Sequence, residues 1–296
     1  MVVAQTAAGR KSPPCSKQSG KEFGHARLTC KVVTVRTRLK PSVWSQLVDL
    51  VYPPRCEICG TDGLDPFCDE CLRNVYTIEH PYCRRCSVPF PPGQEDRWLC
   101  YECQHAQSPL VAGRCVGLHA GALREALARL KFHGSRRLVP ALAELLYDRV
   151  LREVDEPDGL PLGDITALVP AVLHPRRRRW RGFDQSLELT KALGELWRIP
   201  VLKALERAHD TKPQVGLSPE ERRHNMAGAF RMRPGVEVDG LVVAVVDDVW
   251  TTGSTLGACA RALQRGKAAR VYGLTVTRTP PPWHEAAAHK HSVDGA

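Results

Sequence analysis

Apolar residues recur at helical spacing in several parts of the chain, and each such stretch predicts an amphipathic helix. A short helix near residues 43–50 is expected to end at Pro53 and Pro54. Longer helices are predicted around apolar faces at 123–130, 138–146 and 187–197, and over 254–265.

Uninterrupted apolar runs alternate with these helices and predict buried strands. The clearest are "ITALVPAVL" (165–173), "GLVVAVV" (240–246) and "ARVYGLTVTR" (269–278), and shorter candidates lie near Val201 and at "AGAFRM" (227–232). Residues 155–164 are predicted to form a loop. The alternation predicts an α/β fold with a mainly parallel sheet and helices on both of its faces.

The two ends of the chain lack this periodicity. Residues 1–40 are rich in Lys, Arg, Ser and Gly, which predicts a disordered leader or an over-long gene start, and the tail 281–296 is expected to be loose. Between them we expect an N-terminal helix and cysteine module (41–108) and the α/β domain (112–280). No apolar run reaches the roughly 20 residues of a membrane span, and the N-terminus lacks the apolar core of a secretory signal, so a cytoplasmic protein is expected.

Charge and cysteine content narrow the expected ligands. The formal net charge is +10 and the pI about 9.1, which favours phosphates or nucleic acid as partners. Eight of the twelve cysteines form four CxxC pairs. The eight thiolates, if they hold two zinc ions, lower the net charge to about +6 and leave the chain basic.

The four CxxC pairs fall within residues 55–105, a segment with few large apolar side chains. Two CxxC turns complete one tetrahedral zinc shell, and metal binding would supply the folding free energy that a small core lacks. Closed sites of four thiolates have no open position, so two structural zinc ions without a catalytic role are expected. The predicted ligands are Cys56, Cys59, Cys68, Cys71, Cys83, Cys86, Cys100 and Cys103.

A disulfide framework and redox chemistry are the two alternatives to zinc, and the spacing does not fix which CxxC pairs share an ion. A disulfide framework is disfavoured in a cytosolic setting, and redox chemistry usually uses one CxxC rather than four in series. Neighbouring pairs could share an ion, or the pairs could interleave. Of the remaining cysteines, Cys259 lies on an apolar helix stripe and is expected to be core.

Asp247 and Asp248 follow the apolar run at 240–246, and "TTGST" (251–255) then opens a predicted helix. The carboxyl ends of parallel strands form the edge where open α/β sheets bind ligands. The N-terminus of a helix favours an anion, and Gly253 lets the backbone approach it closely. A phosphate suits the turn and a sugar diol suits the carboxylates, so the strip predicts a site for a phosphorylated ribose. The alternative is an ordinary helix start with a Thr or Ser cap and solvated aspartates.

The strip "VVDDVWTTGST" (245–255) resembles the phosphoribosyl pyrophosphate (PRPP) motif of type I phosphoribosyltransferases. That family has a parallel sheet with a hood and displaces pyrophosphate from C1 of PRPP with Mg2+ bound. The resemblance implies that the catalytic Asp247 and Asp248 hold the ribose hydroxyls. The implied 5′-phosphate ligands are Thr251, Thr252, Gly253, Ser254 and Thr255. No dedicated carboxylate cage is visible, so Mg2+ is expected mostly on oxygens of PRPP itself.

Two more segments carry candidate chemistry. The basic run "HPRRRRWRGFDQS" (174–186) follows a predicted strand, where arginines can clamp a pyrophosphate, Trp180 can stack on a nucleobase, or the run can be a solvated turn. The pyrophosphate or nucleic-acid candidates are Lys131, His174, Arg176, Arg177, Trp180 and Arg181. The segment 210–230 is either a mobile lid or an ordinary surface helix, and its lid candidates are Arg222, Arg223 and Asn225.

Four segments in order resemble the competence-protein ComF family: "LKFHG", "LVPAVLHPRRRRWRGFDQS", "TKPQVGLSPEERRHNMAGAF" and the aspartate strip. The resemblance covers residues 43–279 and includes a double zinc ribbon. The chain departs from the family at Ala171 and Val172, and at Asp184, where Asn is usual. An added carboxylate near a pyrophosphate site would weaken binding there.

The resemblance implies a PRPP-binding protein linked to the uptake of single-stranded DNA in natural transformation. Three hypotheses follow from it: an active phosphoribosyltransferase using PRPP and Mg2+, a nucleic-acid-binding module with a regulatory or vestigial PRPP site, and an adaptor that joins DNA-uptake proteins through its zinc ribbons. The expected partners are therefore PRPP, single-stranded DNA and DNA-uptake proteins.

Overall fold

The structure, a computed structural model, describes residues 55–62, 66–91, 93–94, 97–106, 108–153, 159–173, 179, 181–207 and 228–282. Several predicted features lie outside these residues: the leader 1–40, the helix near 43–50, most of the lid segment (210–227) and most of the tail (283–296).

A four-stranded parallel sheet forms the centre of the molecule. Its strands are β1 (Gly113–Leu118), β2 (Ala167–Pro170), β5 (Val242–Trp250) and β6 (Arg270–Arg278), in the spatial order β1–β6–β5–β2. The two longest strands, β5 and β6, lie in the middle, with Val245 opposite Gly273. Their near-continuous apolar sequences suit strands that are buried on both faces. Two short strands, β3 (Leu205–Arg207) and β4 (Phe230–Met232), form a separate antiparallel pair.

Helices pack on both faces of the sheet. The structure has α1 (Asp69–Arg73), α2 (Tyr101–His105), α3 (Gly121–Ala128), α4 (Leu138–Leu151), α5 (Gln185–Trp197) and α6 (Ser254–Arg265). Between α3 and α4 a five-residue π-helical turn spans Arg129–His133, and a 3-10 turn spans Leu162–Asp164. One core cluster joins α1, α3, α4 and α5 to the sheet, and a second joins α6, the β3–β4 pair and the later cysteines to the opposite face. The expected parallel sheet flanked by helices is thus confirmed.

Two local predictions of strands differ from the structure, and one strand was not predicted. Val201 makes only an isolated parallel bridge to Leu168, so it extends the sheet edge by one residue pair. The end of "AGAFRM" forms β4, which pairs with β3 rather than with the main sheet. The edge strand β1 was not predicted, because Arg114 interrupts its apolar pattern.

The charge of the buried Arg114 is compensated by a carboxylate. Its Nε donates to Glu153, two residues after the end of α4, and Arg149 donates to the same carboxylate. Tyr82 Oη also donates to Glu153, at 2.6 Å. Burial opposes ionisation, but Arg149 and Arg114 hold the pKa of Glu153 below its usual value. The network joins the cysteine-rich segment to β1 and α4.

Among the described residues, no helix combines the length and the apolar character that crossing a bilayer requires.

Candidate functional site

The acid pair, Asp247 and Asp248, lies near the carboxyl end of β5. Asp247 is partly buried and Asp248 is 7% exposed, so neither is a solvated surface residue. The strand continues through Trp250, and the segment 251–255, here called the hydroxyl turn, follows it directly. The pair therefore lies at the sheet edge where α/β folds bind ligands.

Polar groups from α5 and from the π-helical turn reach both carboxylates. Ser186 Oγ donates to Asp247 Oδ1 at 2.9 Å, and the backbone N–H of Asp248 donates to the same oxygen at 2.9 Å. Lys131 Nζ lies 2.6 Å from Asp248 Oδ2, and Gln185 Nε2 donates to that oxygen at 3.4 Å. Lys131 belongs to the π-helical turn, a distortion that is frequent at functional sites.

The two aspartates titrate differently because Lys131 pairs directly with Asp248 and acts only more weakly on Asp247. Burial, followed by the neighbouring Asp248, raises the pKa of Asp247 to about 7. Burial acts in the same direction on Asp248, but the Lys131 ammonium outweighs it and holds the pKa of Asp248 below its ordinary value. The site therefore holds one firmly ionised carboxylate beside one that exchanges its proton near neutral pH.

The hydroxyl turn places an open helix N-terminus next to the acid pair. Gly253 is the N-cap of α6 and has no side chain to cap the helix, while Thr252 Oγ1 accepts from Ser254 N at 3.4 Å. Gly253 has φ +78°, and a Cβ there would lie 2.8 Å from Trp250 Nε1, so glycine is required. Thr252 Oγ1 and Ser254 Oγ are hydrogen-bonded to each other at 2.7 Å. The buried acids do not fit the alternative in which both aspartates are solvated, although Thr252 does accept from the first N–H of the helix.

Gln185 supplies an acceptor that none of the described residues uses. Its side chain is 4% exposed, and its Oε1 has no hydrogen-bond partner among the described residues. Its amide nitrogen already contacts Asp248. A buried carbonyl oxygen without a donor is costly, and a ligand hydroxyl at this point would satisfy it.

The neighbouring strand ends add a histidine to the rim of the site. His119 follows β1, and its Nδ1 lies 3.0 Å from Thr277 Oγ1 on β6. Burial, then the charge of Lys131, lowers the pKa of His119. The imidazole is therefore neutral near neutral pH, close to a lysine and a carboxylate.

The structure brings some of the predicted site residues together. Lys131 contacts Asp248 directly, and the Arg181 guanidinium interacts with Asp248 electrostatically. Asp184 caps α5, since its Oδ1 accepts from Leu187 N at 3.1 Å, so its carboxylate serves the fold. The remaining candidates lie outside the described residues: His174, Arg176, Arg177, Trp180, Arg222, Arg223 and Asn225.

Three polar residues of the site were not predicted: His119, Gln185 and Ser186. Gln185 and Ser186 belong to the basic run 174–186, in which the arginines and Trp180 are the predicted candidates. Their position in the chain could have indicated them, because they begin a helix directly after a strand and a loop. His119 would have followed from recognising β1, whose carboxyl end lies at the same edge of the sheet.

The eight CxxC cysteines form two clusters, and the pairing is consecutive. The first tetrad is Cys56, Cys59, Cys68 and Cys71, and the second tetrad is Cys83, Cys86, Cys100 and Cys103. Within each, the sulfur atoms all lie within 4.8 Å of one another.

The distances between sulfurs fit tetrahedral zinc. The sulfurs of Cys59 and Cys68 are 3.5 Å apart, and those of Cys86 and Cys100 are 3.7 Å apart. A Zn–S bond of about 2.3 Å gives a tetrahedral edge of roughly 3.8 Å. The donor set and its spacing therefore suit two structural zinc ions, and interleaved pairing is excluded. Cys259, in contrast, is completely buried in the apolar core, as expected.

Comparison with known proteins identifies relatives over most of the chain. Residues 47–115 match the family model described as a double zinc ribbon domain. DNA utilization protein YhgH of Salmonella typhi is 31% identical over 240 residues, covering 78% of this chain and 99% of that protein. Competence protein F of Haemophilus influenzae is 30% identical over 200 residues, covering 67% and 84%. Competence protein ComFC of Bacillus subtilis is 24% identical over 223 residues, covering 72% and 84%.

A solved structure is also similar over part of the chain. Adenine phosphoribosyltransferase from Leishmania donovani matches with a TM-score of 0.31 and 16% identity, over 55% of this chain and 61% of that one.

Proposed function

The chain belongs to the ComF family of competence proteins, and from that membership we propose that it is a PRPP-binding phosphoribosyltransferase-like protein that handles single-stranded DNA. The site that would bind PRPP is the acid pair together with the hydroxyl turn. Asp247 and Asp248 would accept hydrogen bonds from the ribose hydroxyls, and the turn would receive the 5′-phosphate through Thr251, Thr252, Gly253, Ser254 and Thr255.

The observation that carries this proposal is the juxtaposition of a buried acid pair with a glycine-capped helix N-terminus. The helix contributes backbone N–H groups and the positive end of its dipole, which favour a phosphate. The acid pair is an acceptor for a diol, and the buried Gln185 Oε1 offers a further acceptor beside it. A ligand that satisfies both halves carries vicinal hydroxyls and a phosphate on one small sugar.

The electrostatics of the site suit transfer at C1 of such a sugar. Loss of pyrophosphate from PRPP places positive charge on the ribose ring, and an ionised carboxylate close to the ring stabilises that charge. Asp248 stays ionised because Lys131 pairs with it. Lys131 and the nearby Arg181 would also attract the leaving pyrophosphate, whose negative charge grows as the bond breaks.

The metal ions have separate roles in this proposal. The two tetrads would hold zinc with no open coordination position, so zinc would stabilise the fold. Mg2+ would enter with PRPP and neutralise its pyrophosphate. The described residues contain no three-carboxylate cluster at the site, so Mg2+ would be held mainly by oxygens of PRPP.

Calorimetric titration of the zinc-loaded protein with PRPP and Mg2+ tests the binding proposal. We expect one PRPP per chain, and at least about a tenfold weaker Kd for Asp248→Asn, because charge-assisted hydrogen bonds to the diol become neutral ones. Asp164→Asn is the matched control, since Asp164 is exposed and pairs with Arg270 at the opposite edge of the sheet. Absence of PRPP binding, or equal affinity in Asp248→Asn, would contradict the proposal.

Transfer itself requires a separate assay, because binding alone is also expected of a regulatory site. Pyrophosphate release would be measured with PRPP, Mg2+ and a panel of nucleobases and single-stranded oligonucleotides. Release that depends on an acceptor and is lost in Asp248→Asn supports an active transferase. PRPP binding without release for any acceptor favours the regulatory alternative.

A second candidate function, binding of single-stranded nucleic acid, is favoured by exposed aromatic side chains in the cysteine-rich segment. Trp98 is 63% exposed, and the Arg84 guanidinium carbon lies 5.7 Å from the centre of its ring. Tyr101 is 69% exposed and lies against His105 in a tilted arrangement, with 4.2 Å between ring centroids. Exposed aromatic rings beside cationic groups are typical of surfaces that stack bases and contact phosphates.

The test for this second function is the salt dependence of oligonucleotide binding. Affinity for a fluorescent poly-dT oligonucleotide should fall steeply as salt rises, and Trp98→Ala should weaken it about tenfold or more. Val111→Ala, a truncation of another exposed apolar residue, serves as the control. Affinity that is flat against salt and unchanged in Trp98→Ala would exclude this surface. This second candidate function also includes assembly of the chain with DNA-uptake proteins.

A further inference from the structure

The second tetrad is joined to the start of β1 by a set of hydrogen bonds from its first CxxC turn. Gly113 N donates to the Arg85 carbonyl at 2.8 Å, and the buried Ser87 Oγ donates to the Gly113 carbonyl at 2.8 Å. The buried Arg114 adds a bond from Nη1 to the Arg84 carbonyl at 2.8 Å. The backbone that holds Cys83 and Cys86 is therefore continuous with the edge strand of the sheet.

Trp250 connects this strand to the hydroxyl turn. Its indole occupies space that the neighbouring glycines leave empty, since a Cβ on Gly113 would lie 2.1 Å from Trp250 Cζ3 and one on Gly273 would lie 3.2 Å from it. The other edge of the ring lies against Gly253, where an added Cβ would lie 2.8 Å from Trp250 Nε1. Interiors are close-packed, so displacement of β1 would be transmitted through the indole to the N-cap of α6.

Arg278 at the end of β6 makes a second connection between the same two places. Its Nη1 donates to the Trp250 carbonyl at 2.9 Å and also to the Thr251 carbonyl, the first of the hydroxyl turn. Its backbone pairs with the end of β1, where Arg278 lies opposite Leu118 and its carbonyl accepts from His119 N at 2.7 Å.

We propose that Arg278 is a positioning residue for the phosphate-binding turn, and that it places the turn correctly only when the second tetrad holds zinc. The guanidinium binds the Trp250 carbonyl and the first carbonyl of the turn, and both Arg278 and Trp250 lie against β1. Zinc loss releases the CxxC turn from β1, so both connections between β1 and the hydroxyl turn weaken together. This inference rests on the proposed function of the turn as the PRPP phosphate site.

The first tetrad provides the internal comparison, because among the described residues its CxxC turns make no hydrogen bond to Gly113 or Arg114. The segment that follows it meets β1 at the other end of the strand, where the Tyr76 carbonyl accepts from Leu118 N at 2.8 Å. Cys56, Cys68 and Cys71 pack into the core cluster on the opposite face of the sheet, with α3 and α4. The contact of this region with α3 runs through Asn74, whose carbonyl accepts from Ala122 N at 3.3 Å. Zinc at the first tetrad should therefore stabilise the fold without setting the shape of the hydroxyl turn.

The experiment combines zinc content, amide exchange and PRPP affinity in the full chain. Arg278→Gln should keep two zinc ions per chain, raise hydrogen exchange at residues 251–256 about tenfold, and weaken PRPP binding about tenfold, the size expected for loss of one or two hydrogen bonds. Arg278→Lys keeps the charge and one donor group, so both values should fall between those of wild type and Arg278→Gln. Unchanged exchange and affinity in Arg278→Gln would overturn the proposal.

Single-ligand variants test the link to zinc. Cys103→Ser in the second tetrad should lose one zinc and raise exchange at 251–256, whereas Cys59→Ser in the first should lose one zinc and leave that exchange within about twofold of wild type. Equal exchange in the two variants would refute a specific link. If Cys103→Ser does not fold, the Arg278 series still tests whether Arg278 positions the turn.

Failure of this inference is distinguishable from failure of the proposed function. The exchange and zinc measurements use no ligand, so they report on the turn even if the protein binds no PRPP. A turn that responds to Arg278 and to the second zinc in a protein without PRPP affinity would support the coupling and reject the PRPP site. PRPP affinity that is unaffected by Arg278→Gln would support the site and reject the coupling.

Discussion

The acid pair should make the protein less stable as pH rises through neutrality, because burial of Asp247 favours its protonated form. Its pKa is raised to about 7 from an ordinary 3.8. In the unfolded chain this carboxyl is ionised throughout the range between these values, while in the folded chain it holds a proton. The folded state therefore binds more protons, and stability falls with rising pH until the folded carboxyl ionises.

The size of the effect follows from the difference between the two pKa values. Across the whole window, from about pH 4 to above pH 7, the loss amounts to roughly 4 kcal/mol. Between pH 6 and pH 8.5 the free energy of unfolding falls by about 1.4 kcal/mol, because at pH 6 about nine tenths of the folded molecules still carry the proton. This narrower range avoids the acid release of zinc from its thiolates.

Asp247→Asn is the perturbation that isolates this contribution. An asparagine amide is uncharged at every pH, and its oxygen can still accept from Ser186 Oγ and from the N–H of Asp248. The free energy of unfolding would be measured by urea titration for the wild type and the variant at pH 6 and pH 8.5. The advantage of the variant over the wild type should grow by about 1.4 kcal/mol between the two pH values.

Two features of the measurement make the outcome decisive. Zinc sites and all other titrating groups are common to both proteins, so their pH dependence cancels in the difference. Asp164→Asn, at an exposed carboxylate, should show no change in its difference from the wild type over the same range. A constant difference between Asp247→Asn and the wild type would refute the reasoning, since it would mean that Asp247 is ionised at both pH values.

Substitutions at three other places have measurable outcomes. Lys131→Met should lower the free energy of unfolding by about 2 kcal/mol at pH 7 and lose most of that effect in an Asp248→Asn background, because the lysine is the partner of that carboxylate; equal effects in both backgrounds would contradict the pairing. Gly113→Ala should lower the urea midpoint by overpacking against the Trp250 ring, at a cost of about 1–3 kcal/mol, whereas Gly163→Ala, with open space around its Cβ, should not. Glu153→Gln should cost about 3–5 kcal/mol because it leaves two arginines without their buried carboxylate, and a loss below about 1 kcal/mol would show that the network contributes little.

The sequence predicted those elements whose signals are local. The helix at 254–265 was predicted with the bounds that the structure has, because glycines flank it and its apolar stripe faces the sheet. The central strands β5 and β6 were found from their uninterrupted apolar runs. The four CxxC pairs identify the eight zinc ligands, but which pairs share an ion depends on how the segment folds.

Features that depend on distant partners could not be read from the sequence. The strand β1 was missed because Arg114 looks like a surface residue until Glu153, 39 residues away, is seen to neutralise it. The short strand at 230–232 pairs with β3 instead of the sheet, a choice that only tertiary packing makes. In the site, the acid pair and the hydroxyl turn are adjacent in sequence and were predicted, whereas the contact between Lys131 and Asp248 spans most of the domain.

The most direct measurement of the central claim is a crystal structure of the zinc-loaded protein grown with PRPP and Mg2+. The claim predicts ribose hydroxyls within hydrogen-bonding distance of Asp247 and Asp248, and a 5′-phosphate on the backbone N–H groups of the hydroxyl turn. PRPP bound elsewhere on the protein, with the acid pair still occupied only by Lys131, Gln185 and Ser186, would contradict it.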